Sequence, residues 1–594
     1  MADEIVRIAS APGIKRDGTK FEGDAYVDGQ WVRFQRGLPR KIGGYRAINK
    51  YLQGLARTLY TYTADQLTYV HAGSAAAVES FYIDSGNNTS VISDRTPASL
   101  VADVGNMWQF DSSHDTNGDL LLVAQVAPNL DCLCNSTGGQ LFVGDLFGTN
   151  DLTELTTGGG ELPAVYSATG GIVSLQPYTF FFGNQGFVAW SVPGDPTDYV
   201  GTGSGNANIT SQKIVRGIPL RGGPGNAPSG LFWSADSLLR ASFIGGAEIF
   251  QFDTITTQSS IMSAQCVIEY DGIFYWVGSD RFLMFNGVVR EVENNLNQNF
   301  FFDNLNYQYR QKVFATKVPR FGEIWWCFPK GTSTEPNHAV IYNIRENTWY
   351  DCALPEGGRG AGAFPAVFRK PLMSGVEQQD YAAQAVAIAG GGSGYTVGDV
   401  LTVAGGQYAI PVELTVTTVT GGGVISVIAI SNVGSYTSIP GNPVSVTGGT
   451  GAGATFSVTF NQPYNFWIHE TGTDAISGQS QQPILSYFET ADISLPAQKQ
   501  VNKALQVLML EPDFVQTGDM TVQVRGRANA RAPEVSSESK TIVQTPQTPQ
   551  EQIIYFKDQR RELRFYFESN TLGGDYQMGL VMAHLQPGDG TVIG

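Results

Sequence analysis

Residues 266–290 read CVIEYDGIFYWVGSDRFLMFNGVVR. An apolar run, 266–270, meets Asp271-Gly272; a second, 273–277, meets Gly278-Ser279-Asp280. A third, 282–285, meets Asn286-Gly287, and a fourth begins at Val288. Runs of about five residues rich in β-branched and aromatic side chains suit strands. Asp-Gly and Asn-Gly suit two-residue hairpins, whose central positions need positive φ. The stretch therefore reads as a four-stranded antiparallel meander. A lone meander leaves both faces and both edges uncovered, so a chain containing one needs copies of it or a partner sheet.

The copies are present in degenerate form. Sets of short strands recur from about residue 55 to 352, starting at Leu59, Met107, Ile172, Leu231, Cys266 and Lys312. Four short strands per unit at a period of tens of residues is the pattern of a β-propeller, here with five to seven blades. Trp190 and Trp233 each end an apolar run before a Ser, and read as anchors between blades. The fold class expected is all-β: a degenerate propeller over 55–375, an inserted Gly/Val/Thr-rich β module over 376–462, and a C-terminal antiparallel β platform or sandwich over 463–594. The insert is marked by the near loss of charge and by a half-repeat, Gly394-Tyr395-Thr396 against Ser435-Tyr436-Thr437. Helix is expected only in a short piece within 294–307.

Residues 1–54 form a further region, a basic N-terminal docking arm on a chain of net charge −17. It has a hairpin expected at Asp28-Gly29 and further turns at Leu38-Pro39 and Gly43-Gly44. Arg33, Arg36, Arg40, Lys41 and Arg46 are its candidate docking residues, for an acidic partner or for phosphate. The alternative is an extended segment lying over the chain's own acidic surface. The acidic balance argues against general nucleic-acid binding, since affinity for phosphate comes mainly from Lys and Arg. A conduit through which DNA slides is compatible with it. Charged residues make up only 15% of the chain, which fits a surface largely covered by other subunits.

Little points to turnover chemistry. Five His and five Cys show no metal-ligand spacing, and Cys266 and Cys327 lie in apolar runs as buried thiols. No zincin, nucleophile-elbow or Walker A pattern occurs. Gly448–Gly453 (GGTGAG) lacks the following helix of a phosphate loop, and the Asp115-x-Asn117-Gly118-Asp119 run lacks the closing Glu of a calcium loop. No catalytic residue, metal or cofactor is expected. MADEIVRIAS has no apolar leader core, and no run approaches a membrane span, so synthesis in a reducing cytoplasm without a membrane span is expected.

Several stretches, taken in order, carry a family resemblance: GDAYVDGQWVRFQRGLPRKIGGY (23–45), MWQFDS with LLLVAQ (107–125), FVAWSVPGDPTDY (187–199), LFWSADSLLRASFIGG (231–246), HAVIYNIRENTWY (338–350), YFETADISLP and RRELRFYFES. Together they resemble the tail hub or nozzle proteins of short-tailed (podovirus) phages, the packaged-DNA stabilisation family. The resemblance spans most of 20–370 and 480–590; the 376–462 insert departs from it. It implies a non-enzymatic structural protein of the virion tail, made in the host cytoplasm. It further implies a homo-oligomeric ring, a hexamer, that extends the DNA channel below the portal and its adaptor or head-completion protein. Such a ring retains packaged DNA and anchors fibres, a needle or a plug. On the residues alone two other readings stand: a propeller enzyme degrading polysaccharide, and a glycan-binding adhesin acting through 376–462, with Tyr395 and Tyr436 as stacking rings.

Overall fold

The computed structural model describes residues 4–588 apart from 21–22, 49–51, 87, 129–138, 221–226, 247, 356, 366–369, 377–380, 461–463, 478–479, 494–503 and 530. Cys132, Cys134 and the strand expected there lie outside the described residues. The chain is nearly all β. The main helix among the described residues is Gln298–Asn304, inside the segment expected to hold one. No helix among them is long and apolar enough to cross a membrane. The chain divides into two compact units: Met1–Asn49 with Leu55–Gly375 and Phe466–Gly594, and Lys50–Gly54 with Val376–Asn465.

The first unit holds the propeller. Six sheets of four consecutive antiparallel strands follow one another, with inner strands Thr58–Ala64, Asn106–His114, Gly171–Leu175, Ile214–Pro219, Ile268–Tyr270 and Phe314–Val318. The 266–290 meander is the fifth of them. Its Asp271-Gly272 turn has positive φ at both central residues, 51° and 79°, the type I′ geometry that Asp-Gly favours.

A seventh blade completes the ring and was not visible as a set. It runs, from the axis outward, Arg359–Ala363, Leu372–Val376, Tyr464–His469 and Tyr45–Ala47. Its inner strand lies between those of the sixth and first blades. The fourth strand comes from the N-terminal region and pairs antiparallel with 467–469; Asp474–Ser477 pairs parallel on its other side and Ser480–Pro483 extends the sheet further. This pairing joins distant segments of the chain within the blade that lies between the sixth and the first.

Aromatic side chains fill the spaces between blades. Trp233 of the fourth stands 5.7 Å from Trp276 of the fifth, and Phe282 of the fifth 5.1 Å from Trp326 of the sixth. Trp190 of the third packs at 5.5 Å on Phe250 of the fourth. The two Trp-Ser pairs therefore do anchor blades.

The axis is tied across by polar side chains. Gln109 Nε2 donates to the carbonyls of Gly170 and, at 3.0 Å, Val215; Gln109 Oε1 accepts from Arg216 Nη1 at 3.2 Å. Gln265 Nε2 donates to Thr58 Oγ1 at 3.2 Å and the Trp108 carbonyl at 3.3 Å, while its own carbonyl accepts from Ala315 N. These bonds join strands of the first six blades across the hub.

Residues 4–41 differ from the expected separate arm. Glu4–Arg7 pairs with Met582–Pro587, Asp28–Gln30 with Ser486–Glu489, and Leu38–Lys41 with Asp575–Met578. Each sheet of the C-terminal platform thus contains an N-terminal strand, and one apolar core runs from Ile8 and Trp31 through Phe488 and Phe567 to Trp325 and Tyr350 of the sixth blade. Asp28-Gly29 lies within a strand, and Leu38-Pro39 within another. The hairpin turn is Arg36-Gly37, with φ of 55° and 73°. Gly37 supplies the permissive position.

The second unit is a nearly closed six-stranded barrel. Its strand order is Ala383–Ser393, Ala452–Phe460, Val444–Thr447, Val400–Val403, Glu413–Thr420, Val424–Asn432. The half-repeat becomes a pseudo-twofold axis between Val400–Val403 and Val444–Thr447. The swap that carries one three-strand half onto the other returns the same order. Tyr395 and Tyr436 are equivalent and buried. Tyr395 Oη accepts from Ala454 N at 3.4 Å and Tyr436 Oη from Val412 N at 3.1 Å. Their rings belong to the core, so neither is free to stack on a sugar.

Candidate docking surface

The five candidate arginines and lysine separate into two groups. Arg33 is 1% exposed. It bonds Glu323 Oε1 at 2.8 Å and Glu470 Oε1 at 2.5 Å, and its guanidinium lies 3.8 Å from the Phe321 ring centre. Burial opposes its charge, but the two carboxylates outweigh that and push its pKa up. Lys41 is also buried, donating to the Gly574 carbonyl at 2.7 Å, and burial lowers its pKa. Both residues hold the N-terminal strands in place and cannot reach a partner, which corrects their reading as docking residues. Arg46 is exposed on the Tyr45–Ala47 strand of the seventh blade. Arg36 is exposed and Arg40 half-buried beside the sixth blade.

Arg36 and Arg40 are joined there by two residues that sequence spacing did not single out. Arg320 lies in the turn 319–322 of the sixth blade and Arg345 in the turn 344–347; both are exposed. Arg345 donates from Nη1 to the Arg320 carbonyl at 2.7 Å and from Nη2 to the Pro319 carbonyl at 2.8 Å. It lies across Gly322, where an added Cβ would stand 2.7 Å from its Cγ and where φ is +74°; both facts require Gly. Arg40 and Arg320 approach the Phe321 ring centre at 5.6 and 5.2 Å. The backbone N–H groups of Arg36 and Gly37 bond the Glu346 carboxylate, which fixes the hairpin against the sixth blade. No carboxylate pairs with the guanidiniums of Arg36, Arg40, Arg320 or Arg345 among the described residues. The signal in the sequence was a PRFG turn and an IREN turn, 25 residues apart, which only the blade brings together.

Other charged groups serve the fold. Arg16 bonds Asp351 at 2.8 Å and Asp28 at 2.5 Å, and His338 bonds the other Asp351 oxygen at 2.9 Å. Burial works against ionised Asp351, but Arg16 and His338 prevail and lower its pKa. The His338 ring faces Phe300 and Phe328, so the Arg16–Asp351 ion pair and the histidine bonded to it belong to the interior.

A cleft of about 570 Å3 lies where the inner strands of the first, second and sixth blades begin, lined by Arg57, Val104, Tyr309, Gln311, Lys312 and Glu335. Glu335 is held by Arg57 and by Lys312 at 2.8 Å. Burial raises its pKa and the two cations lower it further than that. Glycoside hydrolysis needs two carboxyl groups, one of them protonated; the described lining of this cleft offers one, ionised.

The two loops that hinted at ligands are satisfied internally. Asp115 Oδ1 accepts from the N–H groups of Asn117 and Asp119 at 2.9 and 2.8 Å, the pattern of a polar hairpin turn. In the Gly448–Gly453 loop, Asp399 accepts from Thr450 N at 2.9 Å and Thr450 Oγ1 at 2.8 Å, and from Thr396 N at 3.0 Å. These bonds hold the Asp399 carboxyl at about 2. The Asp399 carboxylate thus takes up the Thr450 N–H and hydroxyl of this loop. No group of three His, Cys, Asp or Glu among the described residues is placed to hold a metal ion. The thiols of Cys266, Cys327 and Cys352 are buried and unpaired, and burial raises their pKa values.

The chain matches no protein-family model, and a search of curated proteins finds no match.

Proposed function

We propose that this protein is a structural subunit of the virion of a short-tailed phage. In this reading it is a tail hub or nozzle component whose copies form a ring, a hexamer, that extends the DNA channel below the portal and its adaptor. The ring retains packaged DNA and anchors fibres, a needle or a plug. The observation that supports this most directly is the hub. Gln109, Arg216 and Gln265 tie six blades together across the axis, where propeller blades otherwise surround a central channel. A hub closed in this way makes the blades a stiff wedge, and DNA would pass beside the propeller and not through it. Low overall charge suits wide contacts between copies, and the acidic balance suits a lumen that does not hold DNA. The basic surface at Arg36 and Arg40 is available to an acidic neighbour.

Electron microscopy of the purified full-length protein tests the proposal. Closed rings with a central opening wide enough for duplex DNA are expected. A protein that stays monomeric across micromolar to submillimolar concentration at low and moderate salt overturns it.

A further inference from the structure

The propeller carries its charges unevenly. Residues 58–212, which contain the first three blades, hold fifteen Asp and Glu but one cation, Arg95. Arg95 is buried and bonds the carbonyls of Asn150 and Asp145. No Lys or Arg side chain on that flank is exposed among the described residues. The Arg36, Arg40, Arg320 and Arg345 guanidiniums, which pair with no carboxylate among the described residues, lie on the sixth blade and the hairpin beside it.

The acidic flank also has an aromatic surface. Tyr62, Tyr69 and Tyr82 stand directly opposite one another on three adjacent strands of the first blade, so their side chains share one face. Phe147, from the second blade, joins them, with its ring centre 4.6 Å from that of Tyr69 and 6.0 Å from that of Tyr62; Tyr69 and Tyr82 are 5.9 Å apart. Tyr82 and Phe147 are each 38% exposed. Asp65 lies in the turn joining the first two of these strands, and Asp145 two residues before Phe147; both are exposed. Asp65 follows Ala64, whose pair with Leu67 ends the hairpin carrying Tyr62 and Tyr69, and Asp145 ends the strand that leads to Phe147, so both carboxylates edge the aromatic surface. Aromatic faces edged by carboxylates are the surface that a guanidinium fits: it stacks on the ring and bonds the acid.

We propose that these two surfaces bind each other between copies of this chain: the Arg36, Arg40, Arg320 and Arg345 cluster of one copy seats on the Tyr62, Tyr69, Tyr82 and Phe147 surface of the next. The occupant is a second copy because the complementary surface is on this same chain. The contact is head-to-tail, using different patches on the two partners, and such contacts build rings or open filaments. The basic cluster lies on hairpin turns of the sixth blade, and the aromatic surface surrounds the corresponding turns of the first and second. Both sit at the end of the propeller where the inner strands finish. Copies joined through them stay at one level, which favours closure. This inference rests on the ring proposed above and names the contact that builds it.

Sedimentation velocity on the full chain tests it with two variants. One carries Arg36→Glu and Arg320→Glu, leaving Arg345 to hold its turn. The other carries Asp65→Asn, Asp145→Asn and Tyr82→Ala. Wild type should assemble at low salt and dissociate as salt rises, because exposed charges are screened. Each variant should be monomeric alone. Mixed in equal amounts, they should form a heterodimer and nothing larger, because each keeps one intact patch. Should a reversed-charge variant not fold, Arg36→Gln with Arg320→Gln should still weaken association by about tenfold or more. An arginine variant that assembles like wild type overturns this contact while leaving the ring standing. Failure of the folded variants to pair overturns it too. So does loss of binding to a short DNA duplex in the arginine variant with assembly unchanged, which would assign the patch to phosphate. A monomeric wild type overturns the ring and the contact together.

Discussion

Arg33, Glu323 and Glu470 share the interior beside Tyr350, whose hydroxyl donates to Glu323 at 2.7 Å. Removing one charge leaves another buried without its partner, which costs about 3–5 kcal/mol. Arg33→Met, which leaves Glu323 buried without its cation, is therefore expected to lower the stability read from a denaturant titration sharply, and Tyr350→Phe by about 1 kcal/mol, the value of one hydrogen bond. Acid should act through the histidines. Burial first, and the nearby Arg95 charge second, hold His71 at about 3; His338 and His469 move in the same direction. A histidine with a lowered folded pKa contributes stability that is complete above its unfolded pKa of about 6.5. That stability is lost as pH falls from there toward the folded value, by about 1.4 kcal/mol per pH unit for each such residue. Stability measured by urea titration should decline below pH 6.5, and His71→Gln should shallow the slope. None of these partnerships was legible beforehand: Arg33 and Glu323 are 290 residues apart, and a run of cations reads as a solvated arm until a fold supplies carboxylates.

At the scale of elements, legibility followed locality. The fifth blade, built within 25 residues with Asp-Gly and Asn-Gly turns, could be read strand by strand. The third and fourth could be read in part: Gly205–Asn208 and Ile214–Pro219 lack a continuous apolar run. The seventh could not, because its strands come from three distant segments and only the closed ring makes them neighbours. The insert was legible from composition, and its half-repeat marked the symmetry of the barrel. It leaves the seventh blade after Val376 and returns at Tyr464, on strands that lie side by side. Replacing residues 378–462 with a short Gly-Ser loop should therefore preserve the propeller. A melting temperature within a few degrees of wild type and unchanged near-ultraviolet circular dichroism are the expected results.

For the molecule as a whole, the N-terminal strands are what make propeller and platform one body. They supply a strand to every platform sheet, the fourth strand of the seventh blade, and Trp31, Phe34 and Ile42 to the shared core. A chain beginning at residue 55 should expose the face of Leu505–Glu511 and the edge of Tyr464–His469 together. Loss of cooperative unfolding and rapid proteolysis are expected, where a detachable arm would leave both intact. The charge asymmetry belongs to this scale too: a chain of net charge −17 is acidic because one flank is, while a cluster of arginines without carboxylate partners among the described residues gathers on the sixth blade and the hairpin beside it.

Pairing of Tyr45–Ala47 with Trp467–His469 also fixes a timetable. Strands made within the first tenth of synthesis must wait for a partner more than 400 residues later, and the platform strands follow later still. Contacts of such sequence separation form slowly and leave apolar edges uncovered meanwhile. Six blades can fold as they are made, yet the circle stays open until its last blade is complete. Copies of the chain released too early would meet each other with unpaired edges, and assembly through finished surfaces has to follow closure.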